Sequence, residues 1–141
     1  LEDSSPCCPE KEKIMILSES TGMVRGPKYI TTCVLKSFEQ AKKSVERCRQ
    51  FQTEHYVFPH YGIVPAHLAE TVFQDVIKDM EEKVQMVTGL YQKSMSAEEI
   101  LQYYLEKYWK QLESNDVPYE AFSMNSECEI KAILNELKAG I

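Results

Sequence analysis

The residues best suited to chemistry crowd into one stretch, HYVFPHYGIVPAH (55–67), which holds all three histidines: His55, His60 and His67. With Cys48 they offer four nitrogen and sulfur donors, separated by six, four and six residues. Zinc needs four such donors converging as a tetrahedron, and recurrent sites build this from ligand pairs two to five residues apart. Only His55 and His60 approach that spacing, and Pro59 lies between them. A His/Cys metal protein is therefore the third-ranked reading of the protein, and a histidine contact that responds to pH near neutrality is a separate possibility for this stretch. For nucleophilic catalysis the one combination worth naming is Cys33 or Cys48 with His55, a thiol near a base. No nucleophile elbow or cysteine-protease signature surrounds them. Both cysteines also fall on an apolar stripe, where a thiol packs as a small hydrophobe.

Asp75 and Asp79 are four residues apart and share a helix face, as a di-metal carboxylate site requires. Such sites add Glu-x-x-His pairs from other helices, and the chain has none. Phosphate loops and dinucleotide fingerprints are missing too. No catalytic residue, cofactor site or metal ligand is expected, and the protein is not expected to be an enzyme. The histidine stretch is expected to be a packed corner between two helices.

The chain of 141 residues is 43% hydrophobic and 10% aromatic with net charge −6, the composition of one globular domain. Its acidity argues against general nucleic-acid binding, which needs a basic face. No apolar run reaches the 18 residues of a membrane-spanning helix, so membrane insertion is not expected. The opening LEDSSPCCPEKEK is polar and acidic, unlike a signal peptide. Five cysteines (7, 8, 33, 48 and 128) form no CxxC pair, and there is no N-glycosylation sequon. That pattern reads as reduced thiols in an intracellular protein, cytoplasmic or nuclear, with secretion as the alternative.

Two regions position these residues. Residues 1–28 read as a flexible or extended arm whose apolar run IMIL (14–17) forms a short strand, a strip on the body, or a linear motif. Residues 29–141 read as helical. Val34, Phe38, Ala41, Val45 and Cys48 repeat at helical spacing, predicting a helix over 32–55 capped by Thr31 or Thr32. Ala69, Phe73, Val76, Met80, Val84, Val87 and Tyr91 predict a second over 65–93, with Pro65 in its first turn. SAEE (96–99) is a capping box opening a third helix that runs to about Asn115. SECE (126–129) is read as a second box opening a fourth helix, which stops at Gly140. The expected fold is all-α, a four-helix bundle with an extended N-terminal arm.

Charge and aromatics suggest the function. Seven basic residues against two acidic ones lie between Arg25 and Arg49, and five acids against Lys78 between Glu70 and Glu82. Antiparallel first and second helices with attracting flanks account for this, and two charged surfaces steering partners are the alternative. Tyr103, Tyr104, Tyr108 and Trp109 crowd the third helix, and Tyr and Trp are enriched in interface hot spots. The expected function is a non-catalytic protein–protein interaction module, a domain of a larger scaffold or assembly protein. Its contacts are expected at Tyr103, Tyr104, Tyr108 and Trp109, with Ile14, Ile16 and Leu17 in the arm. The partner is another protein, and self-association is compatible with this reading. A secreted four-helix, cytokine-like ligand is the alternative.

Overall fold

The computed structural model describes residues 13–24, 30–111 and 117–140. It contains four helices, α1 (Phe38–Arg49), α2 (Ala66–Gln92), α3 (Ala97–Trp109) and α4 (Tyr119–Ala139). It also contains five short strands, β1 (Ile14–Ile16), β2 (Met23–Val24), β3 (Ile30–Thr31), β4 (His55–Phe58) and β5 (Gly62–Pro65). The fold is mixed α/β, which corrects the all-α expectation.

The histidine stretch is the source of the difference. Instead of a connection between helices, it is a β-hairpin pairing His55 with Pro65, Tyr56 with Val64, Val57 with Ile63 and Phe58 with Gly62. Pro59 starts its turn, and His60 takes a left-handed backbone (φ 63), a conformation in which histidine is enriched among non-glycine residues. Pro65 is tolerated because β5 is an edge strand, where a missing N–H breaks no ladder. On the other side of β4, β1 pairs in parallel, Ile14 with His55, Met15 with Tyr56 and Ile16 with Val57. Of the expected arm, Ile14–Ile16 is therefore built into the sheet in cis. Residues 1–12 and 25–28 of that arm lie outside the described residues. β2 and β3 form a separate antiparallel pair.

Strand side chains alternate between faces. The inner face carries the buried Leu17, Tyr56, Phe58 and Val64, with Phe73 of α2 set against Tyr56 (ring centroids 5.3 Å, nearly perpendicular) and Phe58 (5.7 Å). The buried row of α2 is Ala69, Phe73, Val76, Met80, Lys83 and Val87. That row matches the expected stripe except at two places: Lys83 is buried where Val84 is only half-buried, and Tyr91 at the helix end is exposed.

Helix ends follow partly from local chemistry. The Ser96–Glu99 capping box forms in both directions, and Gly140 closes α4 in the left-handed region (φ 77). α1 is capped by Ser37, whose side chain accepts from the Gln40 N–H, rather than by Thr31 or Thr32. α4 begins at Tyr119 behind Pro118, so SECE is not a helix start. There the Ser126 hydroxyl donates back to the Phe122 carbonyl (2.8 Å), as mid-helix serine commonly does, and Glu129 turns into the core. α1 and α2 run antiparallel, with Lys42 on Glu81 and Arg49 on Glu70, as the charge layout predicted.

Candidate functional site

Residues 32–34 follow β3 without joining any strand, so their backbone N–H groups need other partners. Carboxylates on two helices supply them. Asp79 of α2 accepts from the Thr32 N–H (2.9 Å) and from its hydroxyl (2.6 Å). Glu129 of α4 accepts from the Val34 N–H (3.0 Å), and Glu136, seven residues on and so on the same face, accepts from the Ser37 hydroxyl. Between the two acids stands Lys83, only 2% exposed. Its ammonium donates to the Thr32 carbonyl at 2.6 Å and lies 3.1 Å from Asp79 and 3.6 Å from Glu129. The Tyr104 hydroxyl closes the cluster by donating to the other Glu129 oxygen at 2.7 Å.

A buried charge persists only when paired and hydrogen-bonded. Here one segment, three helices and two ion pairs fix one another. Burial works against the Lys83 charge, but Glu129 and Asp79 outweigh it and raise its pKa above the ordinary lysine value. Glu129 is raised as well: its burial exceeds the opposing effects of Lys83, the Val34 N–H and the Tyr104 hydroxyl.

A cavity of about 230 Å³ opens beside this cluster, walled by Met23, Cys33, Lys83, Tyr104, Tyr108 and Glu129 among others. At its wall His60 and Glu19 meet, ring nitrogen to carboxylate at 2.7 Å, both well exposed. Its thiol and phenols are held in their protonated forms. Burial pushes the Cys33 thiol up to about 11 and the Tyr108 phenol up to about 12. Burial, with Glu129 beside it, raises Tyr104 well above the ordinary phenol value. Lys83 is held as ammonium. A nucleophile requires the opposite shift.

The sequence-expected contact residues divide. Tyr104 (1% exposed) and Tyr108 (8%) are interior, and Trp109 is half-buried against Tyr119 and Phe122 (centroids 5.0 and 5.3 Å). Leu17 is buried, whereas Tyr103, Ile14 and Ile16 are exposed. The expected aromatic surface on α3 is thus largely a core face, because residues 100, 104 and 108 form one row and that row meets α4. His55 and His67 are exposed, on β4 and α2. Among the described residues no three His, Cys, Asp or Glu side chains are grouped to hold a metal, and Cys33, Cys48 and Cys128 are free thiols. No helix among the described residues is long and apolar enough to cross a membrane.

Sequence reasoning missed Lys83, Glu129 and the role of Asp79. A signal existed for the first: Lys83 follows Met80 by three and precedes Val87 by four, so it lies on the buried row as squarely as Val84. No protein-family model matches the chain, and no curated protein matches it.

Proposed function

We propose that this domain is a non-catalytic module that binds another protein through the outward face of its three-stranded sheet. The observation that carries the reading is a row of β-branched side chains across that face. Strand register sets Ile16 beside Val57 and Val57 beside Ile63, and residues paired across strands share a face. Ile16 is 80% exposed and Ile63 67%, with Ile14 at 53% one step along. A sheet whose outer face meets only water normally alternates to polar residues there, and contiguous exposed apolar patches mark interaction surfaces. The cavity's protonated thiol, phenols and ammonium support the non-catalytic half of the reading. Tyr103 remains the exposed aromatic of α3.

The test is capture of a partner from cell lysate by the 141-residue chain and by Ile16→Lys, Ile63→Lys and Tyr103→Ala variants. The isoleucine variants are expected to keep their thermal midpoint, because substitutions on exposed faces usually stay within about 0.5 kcal/mol. They should lose the captured protein. Capture retained by a folded Ile16→Lys/Ile63→Lys double variant rejects the sheet face, and capture lost with Tyr103→Ala alone moves the surface to α3.

A further inference from the structure

What the cavity beside Lys83 would take follows from its wall, independently of the sheet surface. At about 230 Å³ it falls below the roughly 300–1,000 Å³ of pockets for drug-sized ligands, so its occupant has few heavy atoms.

Charge excludes one class of ligand. Lys83 is opposed by Glu129 and Glu19 in the wall and by Asp79 behind Thr32. Among the described residues three carboxylates stand against one ammonium and the His60 ring that Glu19 already holds, a balance that disfavours anions and that low-dielectric walls strengthen. Nor is Lys83 available to a ligand, since the Thr32 carbonyl and Asp79 already hold it.

Acceptor capacity points the other way. Because Lys83 is drawn toward Thr32, it stops 3.6 Å from Glu129, beyond ordinary hydrogen-bond length. Each carboxylate oxygen of Glu129 then holds one close partner, Val34 on one and Tyr104 on the other, although a carboxylate has about four acceptor positions. Tyr108 supplies the second, independent observation. It lines the cavity and is only 8% exposed, yet its hydroxyl has no hydrogen-bond partner among the described residues. Among the described residues the buried side-chain oxygen without a partner is that of Thr88, so the Tyr108 hydroxyl is open to the cavity's accessible space, where a ligand can meet it. Asn125, an exposed residue at the cavity's rim, has a side-chain amide uncommitted among the described residues. Met23, Val117 and Phe122 complete the lining with apolar surface.

We propose that this cavity binds a small primary organic ammonium ion, its N–H donors on Glu129, Tyr108 and Asn125 and its short carbon body against Met23, Val117 and Phe122. Three donors on a compact cation match three unspent acceptors, which a neutral alcohol cannot do and a carboxylate reverses.

Three probes of one size and different charge test it by amide NMR titration of the 141-residue chain: n-propylammonium, 1-propanol and propionate. Propylammonium is expected to shift cavity residues saturably with a Kd on the order of 1 mM, in keeping with its few heavy atoms. Propanol should bind at least about tenfold more weakly, and propionate not at all. Glu129→Gln should weaken propylammonium about tenfold. Since Glu129 also holds Val34 and Tyr104, Tyr108→Phe and Asn125→Ala are titrated beside it. They leave that network intact and should each weaken binding several-fold. Equal binding of propanol would reduce the cavity to an apolar void, and preference for propionate would make Lys83 the recognition group. No saturable shift at any cavity residue would leave it a water-filled space. Each of these three results overturns the proposal.

Discussion

Removing the Glu129 carboxylate perturbs the interior at its most connected point. Glu129→Leu strands the Val34 N–H and the Tyr104 hydroxyl, each at a cost of about 1–3 kcal/mol when buried. It also leaves Lys83, 2% exposed, with Asp79 as its remaining counter-charge among the described residues. Removing one partner of a buried ion pair costs about 3–5 kcal/mol. One carboxylate serves all three contacts, so these costs overlap, and the expected total is about 4–6 kcal/mol. Glu129→Gln keeps an acceptor oxygen and the side-chain size, so it should cost only about 1–3 kcal/mol. Urea unfolding, followed by far-UV circular dichroism and by Trp109 fluorescence, reads both. Domains are stable by about 5–15 kcal/mol, so the leucine variant is expected to be marginal and the glutamine variant folded. Combining Lys83→Met with Glu129→Leu removes the stranded ammonium and should recover about 1–3 kcal/mol. A leucine variant within about 1 kcal/mol of the parent would refute the network, as would a double variant whose losses simply add.

Gly22→Ala is expected to destabilise by about 3 kcal/mol. Gly22 sits at φ 97, and a Cβ there would lie 2.7 Å from Cγ2 of Val76, a residue with no exposure and no room to yield. Gly62→Ala, at φ 111 with open space around it, should cost only about 1–2 kcal/mol, and comparing urea midpoints separates the clash from the backbone strain. Alkali should loosen the fold in a defined window. Cys33 is raised from 9.0 to about 11 and Tyr108 from 10.0 to about 12, burial being the largest cause of each. Both are neutral when protonated, so their contribution is complete below the unfolded value and lost as pH rises through the folded one. Cys33→Ala should flatten the loss between 9.0 and about 11, by about 1 kcal/mol after allowing for the thiol's partial exposure. Identical pH profiles for parent and variant would contradict this.

The helices were legible because their signals are local. A row at spacings of three and four marks a buried face whatever it packs against, so the expected second helix over 65–93 agrees closely with Ala66–Gln92. A serine three residues before a glutamate at a helix start satisfies the first amides of that helix, so the box at Ser96 forms as read. The same motif at Ser126 misled. Its amides were already inside a helix started at Tyr119 by Pro118, which left Glu129 free to face inward.

Sequence alone thus determined that there are four helices, the extent of the second, the Gly140 stop, the acidic balance and the antiparallel attraction between α1 and α2. It did not determine the bounds of α1 (expected over 32–55, found at Phe38–Arg49) or the start of α4. Tertiary structure decided the rest. Three residues, Ile14–Ile16, cannot hold a strand conformation unaided, and their pairing with His55–Val57 depends on a hairpin about forty residues away in the chain. Both faces of that hairpin are apolar, so it shows no alternation to read, and its two prolines resemble helix breaks. The burial of Lys83 was equally hidden. A lysine in the core is too costly unless Asp79, Glu129 and the Thr32 carbonyl converge on it, and those groups come from three separate segments. Periodicity reports which side chains share a face. Which charges share an interior depends on where distant segments cross.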